Sequence, residues 1–176
     1  PSAGFYEGKS MAKVTMRLAT TADMQTVHAI FRDAIQAMNA QGIPQWDEVY
    51  PTPALLEDDL TRSELFVADT EEGVLAAVVL NSECDPAYHT AAWQGGEPYV
   101  VVHRLCVSPL AQNKGVGRGL MGEVEAWARA RGYADIRLDA FSQNPHALRM
   151  YAGLGYGKRG EAHWRKGLFY LLEKPL

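Results

Sequence analysis

Between the apolar run YVVVHRLCV (Tyr99 to Val107) and the helical run LMGEVEAWARARG lies QNKGVGRG, Gln112 to Gly119, with three glycines and two cations in eight residues. A helix that starts on such residues exposes its first backbone N–H groups. Those donors, with the positive end of the helix dipole, form an anion site. Glycine matters because a Cβ would hold a diphosphate away from the backbone. Gln112, Lys114 and Arg118 add donors around the rim, with Asn113, Gly115, Val116, Gly117 and Gly119 supplying the loop itself. An isolated glycine-rich loop is usually only a turn; here strand, glycines and helix fall in the order that phosphate binding requires.

Two nucleotide folds compete for this loop. The pattern GxxxxGK[ST] is absent, which argues against a P-loop NTPase. Gly117-x-Gly119-x-x-Gly122 does fit the dinucleotide fingerprint, and Asp139 follows about twenty residues on, where a ribose-binding acid would sit. Against a dinucleotide-binding oxidoreductase, Ser108 to Lys114 separates the strand from its first glycine. The chain before Tyr99 also shows no repeated βαβ units.

The elements that would position these residues follow from periodicity. Val14 to Thr20 alternates as a strand and meets the cap cluster Thr21-Ala22-Asp23. A helix carrying Met24, Val27, Ile30, Phe31, Ile35 and Met38 runs to about Ala40, and Gly42 ends it. After a Pro- and aromatic-rich loop, Ala54 to Arg62 reads as a short acidic helix. ELFVADT and GVLAAVVLN form a hairpin about Glu71-Glu72-Gly73. Ser82 to Pro98 is a long polar loop of the kind that is often functional or mobile. Tyr99 to Val107 is a strand, Gly115 to about Arg131 a helix that packs through Val116, Leu120, Val124 and Trp127, and Asp135 to Phe141 another strand. Asn144-Pro145 opens a helix to about Ala152, GLGYGKRG starts a strand, and LFYLLEK is the last. One α/β domain accounts for the chain from residue 11 to 176. PSAGFYEGKS, residues 1–10, reads as an expression remnant or a disordered tail.

Composition narrows the function. A chain of 176 residues with 47% hydrophobic and 22% charged residues suits one domain with a sizeable core. A net charge of −4 disfavours nucleic acid as a partner. Cys84 and Cys106 lack metal-ligand spacing and make no disulfide framework, so no metal and a cytoplasmic setting are expected. The longest clean apolar run, Val74 to Leu80, is a buried strand rather than a membrane span, so no membrane partner is expected. The edge of LFYLLEK either is paired internally or serves a homodimer.

Leu105-x-Val107-x-Pro109, Gln112-x-x-Gly115-x-Gly117 and the amphipathic helix after them resemble motif A of the GNAT family of N-acetyltransferases. Asn144, Ala147, Tyr151 and Gly155-Tyr156 resemble the family's later segment, with tyrosine in place of the usual phenylalanine. The resemblance implies a single domain with a mixed, mostly antiparallel twisted sheet of about seven strands, flanked by about four helices. It implies acetyl-CoA as co-substrate, held by Gln112 to Gly119, by the strand edge at Leu105, Cys106 and Val107, and by Asn144 and Ala147. It implies acetyl transfer to a primary amine by direct attack in a ternary complex, with a backbone N–H near Cys106 as oxyanion donor and Tyr151 as general acid. A core tyrosine with a satisfied hydroxyl is the bland alternative for Tyr151. For the general base, His103 and then Glu97 are the candidates, His103 being equally well read as a bonded core histidine. Trp46, Tyr50 and Trp93 are candidate contacts for a small-molecule or peptide amine. A catalytically silent CoA-binding module is the other outcome the same motifs allow.

Overall fold

The structure is a computed structural model that describes residues 12–176, so the reading of residues 1–10 lies outside it. Seven strands form one sheet: β1 (Thr15–Leu18), β2 (Leu65–Thr70), β3 (Gly73–Asn81), β4 (Tyr99–Val107), β5 (Asp135–Phe141), β6 (Gly157–Trp164) and β7 (Gly167–Pro175). Their order is β1-β2-β3-β4-β5-β7-β6. Every neighbouring pair is antiparallel except β4 with β5. One parallel pair is too few for a doubly wound nucleotide-binding sheet, so the dinucleotide reading falls on topology.

Four α-helices cover the sheet: α1 (Met24–Ala40), α2 (Pro53–Thr61), α3 (Val116–Ala130) and α4 (Pro145–Gly153). Alternation along β3 divides the core between the two faces. Ala77 and Val79 point to a cluster with Val27, Phe31 and Leu56 of α1 and α2. Ala76, Val78 and Leu80 point to the other, with Leu120 and Val124 of α3 and Tyr151 of α4. Proline at the first turn and a capping side chain open α2 (Thr52) and α4 (Asn144). Gly119 is buried where α3 crosses the chain before β1; a Cβ there would lie 2.6 Å from the Ala12 carbonyl oxygen.

Two alternatives left open by the sequence are decided. LFYLLEK belongs to β7, which is paired on both sides by β5 and β6, so it presents no edge to a partner. The Ser82–Pro98 loop contains a short 3-10 turn, Pro86–Thr90, and is bound down rather than loose. Its Ala92 amide donates to the Arg159 carbonyl (3.0 Å), its Gln94 and Gly95 amides to Glu173 (2.6 and 3.0 Å), and Arg137 donates to the Gly95 carbonyl (3.1 Å). No described helix is long and apolar enough to cross a membrane.

Candidate active site

The parallel pair opens partway along. β4 and β5 match from Tyr99↔Asp135 to Val102↔Leu138 and then part, leaving the second half of β4 without a partner on that side. The cause lies at Arg104, whose φ of 48° is a left-handed value uncommon outside glycine, and which coincides with a register slip opposite Val78. Asp59 of α2 holds it there. Arg104 Nε and Nη2 donate to the two Asp59 carboxyl oxygens at 2.9 and 2.8 Å, and Nη1 donates to the Tyr50 hydroxyl at 3.0 Å. The bulge shifts the strand's parity. Val100 and Val102 face the α3–α4 core, and after the slip Leu105 and Val107 face it too, whereas Cys106 joins the α1–α2 core.

The backbone edge follows the same logic. The Ser108 amide donates to the Leu75 carbonyl (2.8 Å) across β3. Polar groups alternate along a strand, so the N–H and C=O of Val107 turn towards the gap. Leu105 and Val107 are half-buried beside it, and Cys106 is buried, with burial pushing its thiol pKa far above the ordinary value. A neutral thiol bonded to the Ile30 carbonyl is a core residue, not a nucleophile.

The glycine loop arrives at the mouth of this gap. Gly115 (φ 75°) turns the chain into α3, and the amides of Val116, Gly117 and Arg118 have no backbone acceptor among the described residues. Gly119 differs: its amide is used within the helix, on the Gly115 carbonyl at 2.9 Å. A Cβ on Gly117 would come within 3.3 Å of Val107 and 3.1 Å of Met150, which places this helix start between β4 and α4. Gln112, Asn113 and Lys114 are exposed at the rim. Arg118 Nε is buried with no hydrogen-bond partner. An unpartnered guanidinium N–H beside three free amides fits a diphosphate.

On the other flank of the gap stands α4. Tyr151 is buried, its ring set edge-on to Tyr156 at 5.6 Å, and its hydroxyl has no hydrogen bond among the described residues. Burial, with the Asp139 charge adding to it, raises its pKa well above the usual tyrosine value, so it stays a proton donor. Asn144 caps the helix, its Oδ1 accepting from the Ala147 amide (3.2 Å), while its Nδ2 donates to Gln45 (2.9 Å). Ala147 is half-buried against the α3–α4 core.

Asp139 is the first β5 residue past the last β4 partner. The Tyr88 hydroxyl, from the Ser82–Pro98 loop, donates to its Oδ2 at 2.6 Å. Burial outweighs that bond and pushes the carboxyl up to about 6. The sequence singled out Asp139 only through the dinucleotide pattern, and Tyr88, 51 positions away, carried no signal at all.

The remaining sequence candidates are placed as follows. His103 Nε2 lies 2.7 Å from Asn81 Oδ1 and 3.0 Å from the Glu83 carbonyl, so it donates to both. Burial first, and the Arg104 charge second, lower its pKa to about 4, leaving a neutral, internally bonded ring. Glu97 is exposed before the start of β4, at the paired end of the strand and away from the gap. Trp46 is buried and stacked on Phe31 (5.5 Å) in the α1–α2 core. Tyr50 is exposed and bonded to Arg104. Trp93 packs on Tyr88 (5.6 Å) under the Arg137 guanidinium (4.7 Å) and donates to the Tyr88 carbonyl. The structure thus brings Val107, Gly117, Arg118, Asp139 and Tyr151 around one gap, and leaves His103, Glu97, Trp46 and Trp93 off it.

Known proteins share this architecture. An acetyltransferase of the GNAT family from Streptococcus agalactiae superposes with a TM-score of 0.78 at 19% identity, over 95% of this chain and 98% of that one. The PaiA N-acetyltransferase of Thermoplasma acidophilum, solved in complex with coenzyme A, superposes at 0.70 and 16% identity, over 93% and 99%. In sequence the chain is 28% identical over 124 residues to N-acetyltransferase 8F1 of Rattus norvegicus, covering 66% of this chain and 52% of that protein. N-acetyltransferase 8B of Mus musculus gives 26% over 121 residues, 65% and 48%. The chain therefore spans about half the length of these mammalian relatives. A sequence profile described as the acetyltransferase (GNAT) family matches residues 28–156, a stretch that takes in the opened strand pair, the glycine loop and α4; the chain belongs to the GNAT family.

Proposed function

We propose that this chain is an acetyl-CoA-dependent N-acetyltransferase that transfers the acetyl group directly to a primary amine. The observation that carries the reading is the gap between two parallel strands, with unpaired helix amides at its mouth and a free tyrosine hydroxyl on its flank. The amides of Val116, Gly117 and Arg118, with the Arg118 side chain, hold the diphosphate. Gln112, Asn113 and Lys114 edge it. The open edge at Leu105 and Val107 receives the pantetheine amides as a strand partner would, beside Asn144 and Ala147. Bound acetyl-CoA supplies the acyl group as a thioester.

Three tasks then fall to this chain's side chains and backbone. An alkylammonium acceptor must lose a proton before it can attack. Asp139, at about 6, is ionised at neutral pH and lies at the gap, which supports it as the proton acceptor over His103 and Glu97. The backbone N–H of Val107 faces the developing oxyanion. Tyr151 donates its hydroxyl proton to the departing sulfur. The amine lone pair forms the C–N bond as the C–S bond breaks. The acceptor nitrogen sheds two protons: one passes to Asp139 before attack, and the other, released as the amide forms, replaces the proton that Tyr151 gives to the sulfur.

Calorimetric titration with acetyl-CoA, on the wild type and on Gly117→Glu, tests the reading. Saturable binding to the wild type, lost in the variant with at most a small drop in melting temperature as Met150 gives way, is expected. An amine panel scored for thiol release follows. Absence of binding to the wild type rejects the reading, and binding without thiol release across the panel leaves a silent CoA-binding module.

A further inference from the structure

Asp135 of β5 and Glu173 of β7 are both fully buried, at 0% exposure. They stand on one face of adjacent strands, Asp135 pairing with Pro175 two residues from Glu173, and both abut Gly95; two carboxyls confined together in the interior are stable only if one carries a proton. The other contacts agree with this count. Glu173 accepts from the Gln94 amide (2.6 Å), the Gly95 amide (3.0 Å) and Arg159 Nε (2.7 Å), as an ionised carboxylate does. Asp135 accepts from Arg137 Nε (2.8 Å) with Oδ2, and its buried Oδ1 has no hydrogen-bond partner among the described residues, which leaves it open to a shared proton. Glu173 bonds the backbone at Gln94 and Gly95, and Asp135 packs against it. That backbone is pressed so close that a Cβ on Gly95 would lie 2.3 Å from the Asp135 carboxyl carbon.

This fixed point belongs to the loop that delivers Tyr88 to Asp139. Trp93 joins the two sites, donating to the Tyr88 carbonyl on one side and lying under Arg137 on the other. We propose that the Asp135–Glu173 pair is a proton-sharing clamp that positions the Ser82–Pro98 loop, and through Tyr88 the Asp139 carboxylate, for acetyl transfer. The proposal rests on the transferase reading only for its catalytic consequence. Asp135 and Glu173 are positioning residues; neither reaches the gap.

The clamp has a working range. Burial, with the neighbouring Glu173 carboxyl adding to it, pushes Asp135 up to about 7. Against the cost of burial, the neighbouring Asp135 carboxyl and the bonds from the loop amides and Arg159 hold Glu173 at about 2. The charged and titratable groups facing the pair are Arg137 on β5, Arg159 on β6, Tyr99 on β4, whose ring lies 4.0 Å under Arg137, and Tyr156 after α4. Cys84 and Glu97 lie beside Tyr99. A carboxyl whose folded pKa is raised stabilises the folded form below its unfolded value and loses that contribution as pH rises through the folded value. The clamp is therefore intact below about pH 7 and opens above it, when the shared proton is lost and two carboxylates face each other.

Carboxyl-carbon and amide NMR of the whole chain, across pH 5 to 9 and without substrate, tests the clamp directly. The Asp135 carboxyl is expected to titrate near 7, and the Gly95 amide to move with the same inflection. In Asp135→Asn the side-chain amide donates to Glu173 at every pH, so the Gly95 inflection disappears. An Asp135 carboxyl titrating below 5, or a Gly95 amide indifferent to it, overturns the proposal. These signals need neither acetyl-CoA nor amine, so they stand apart from any failure of the transferase reading. In turnover, kcat/KM of the wild type relative to Asp135→Asn is expected to fall roughly fivefold to tenfold between pH 6 and 8.5, about what one hydrogen bond is worth. A ratio that stays flat removes the positioning role.

Discussion

Burial acts in opposite functional directions on the two residues that flank the gap. It keeps Tyr151 protonated, which suits a donor, and it makes Asp139 a stronger base than an ordinary aspartate without neutralising it at pH 7. Tyr151→Phe removes only an unbonded hydroxyl, and the ring keeps its edge-on contact with Tyr156. The expected result is an unchanged melting temperature and acetyl-CoA affinity with turnover down at least ~100-fold, read by thiol release. Asp139→Asn separates activity from stability. The folded pKa near 6 exceeds the ordinary 3.8, so the wild type loses stability as pH rises from about 4 through 6. At about 1.4 kcal/mol per pH unit the full cost approaches ~3 kcal/mol at pH 8. Urea unfolding should show Asp139→Asn more stable than the wild type at pH 8 and little different at pH 4, while its turnover is lower at pH 8, where the wild-type carboxylate is ionised. Equal stability at both pH values would place Asp139 in a more solvated setting than the structure gives it.

Between elements, the opening of β4 from β5 depends on a contact from outside the sheet. Asp59 is 4% exposed and Arg104 nearly as buried, and together they tie α2 to the bulge. Removing one partner strands a charge in the interior, for which about 3–5 kcal/mol is typical. Asp59→Ala and Arg104→Met are each expected to lose that much in denaturant unfolding. The double variant Asp59→Leu with Arg104→Met should recover part of it and lose acetyl-CoA binding, because the bulge then has nothing to hold its left-handed residue. Recovery of stability with binding intact would mean that the bulge forms without the ion pair. Motif spacing reveals β4, the glycines and α3, but nothing in a nine-residue acidic helix marks Asp59 for burial.

Across the whole molecule, the loop after α1 and the turn between β6 and β7 meet beside the site. Asp47 accepts from Arg165 at 2.9 and 3.0 Å and lies 2.8 Å from Lys166, while Gln45, two residues before it, bonds to Asn144. Exposed ion pairs contribute little to folding but order the segments that carry them. Asp47→Ala is expected to leave the melting temperature within a few degrees of wild type, raise the acceptor KM severalfold, and leave acetyl-CoA affinity unchanged. Titration and steady-state kinetics check each arm. A change in acetyl-CoA affinity would show that this strap serves the co-substrate instead of the acceptor.

By itself the sequence determined the strands, the helices and the glycine-rich start of α3, because these rest on period, caps and turn chemistry that act over a few residues. Tyr99 to Val107 and Asp135 to Phe141 come out with the bounds read from pattern alone. It also marked Tyr151 and Asn144, seven residues apart on one helix. What only the tertiary structure decided are pairings over long chain separations: Tyr88 with Asp139, Arg104 with Asp59, Gly95 with Glu173. His103 shows why. Its place on β4 was legible, but its proton affinity depends on Asn81, the Glu83 carbonyl and Arg104, and on a bulge that turns it away from Leu105 and Val107. Local pattern places an ionisable group on an element; the groups folded against it set its charge.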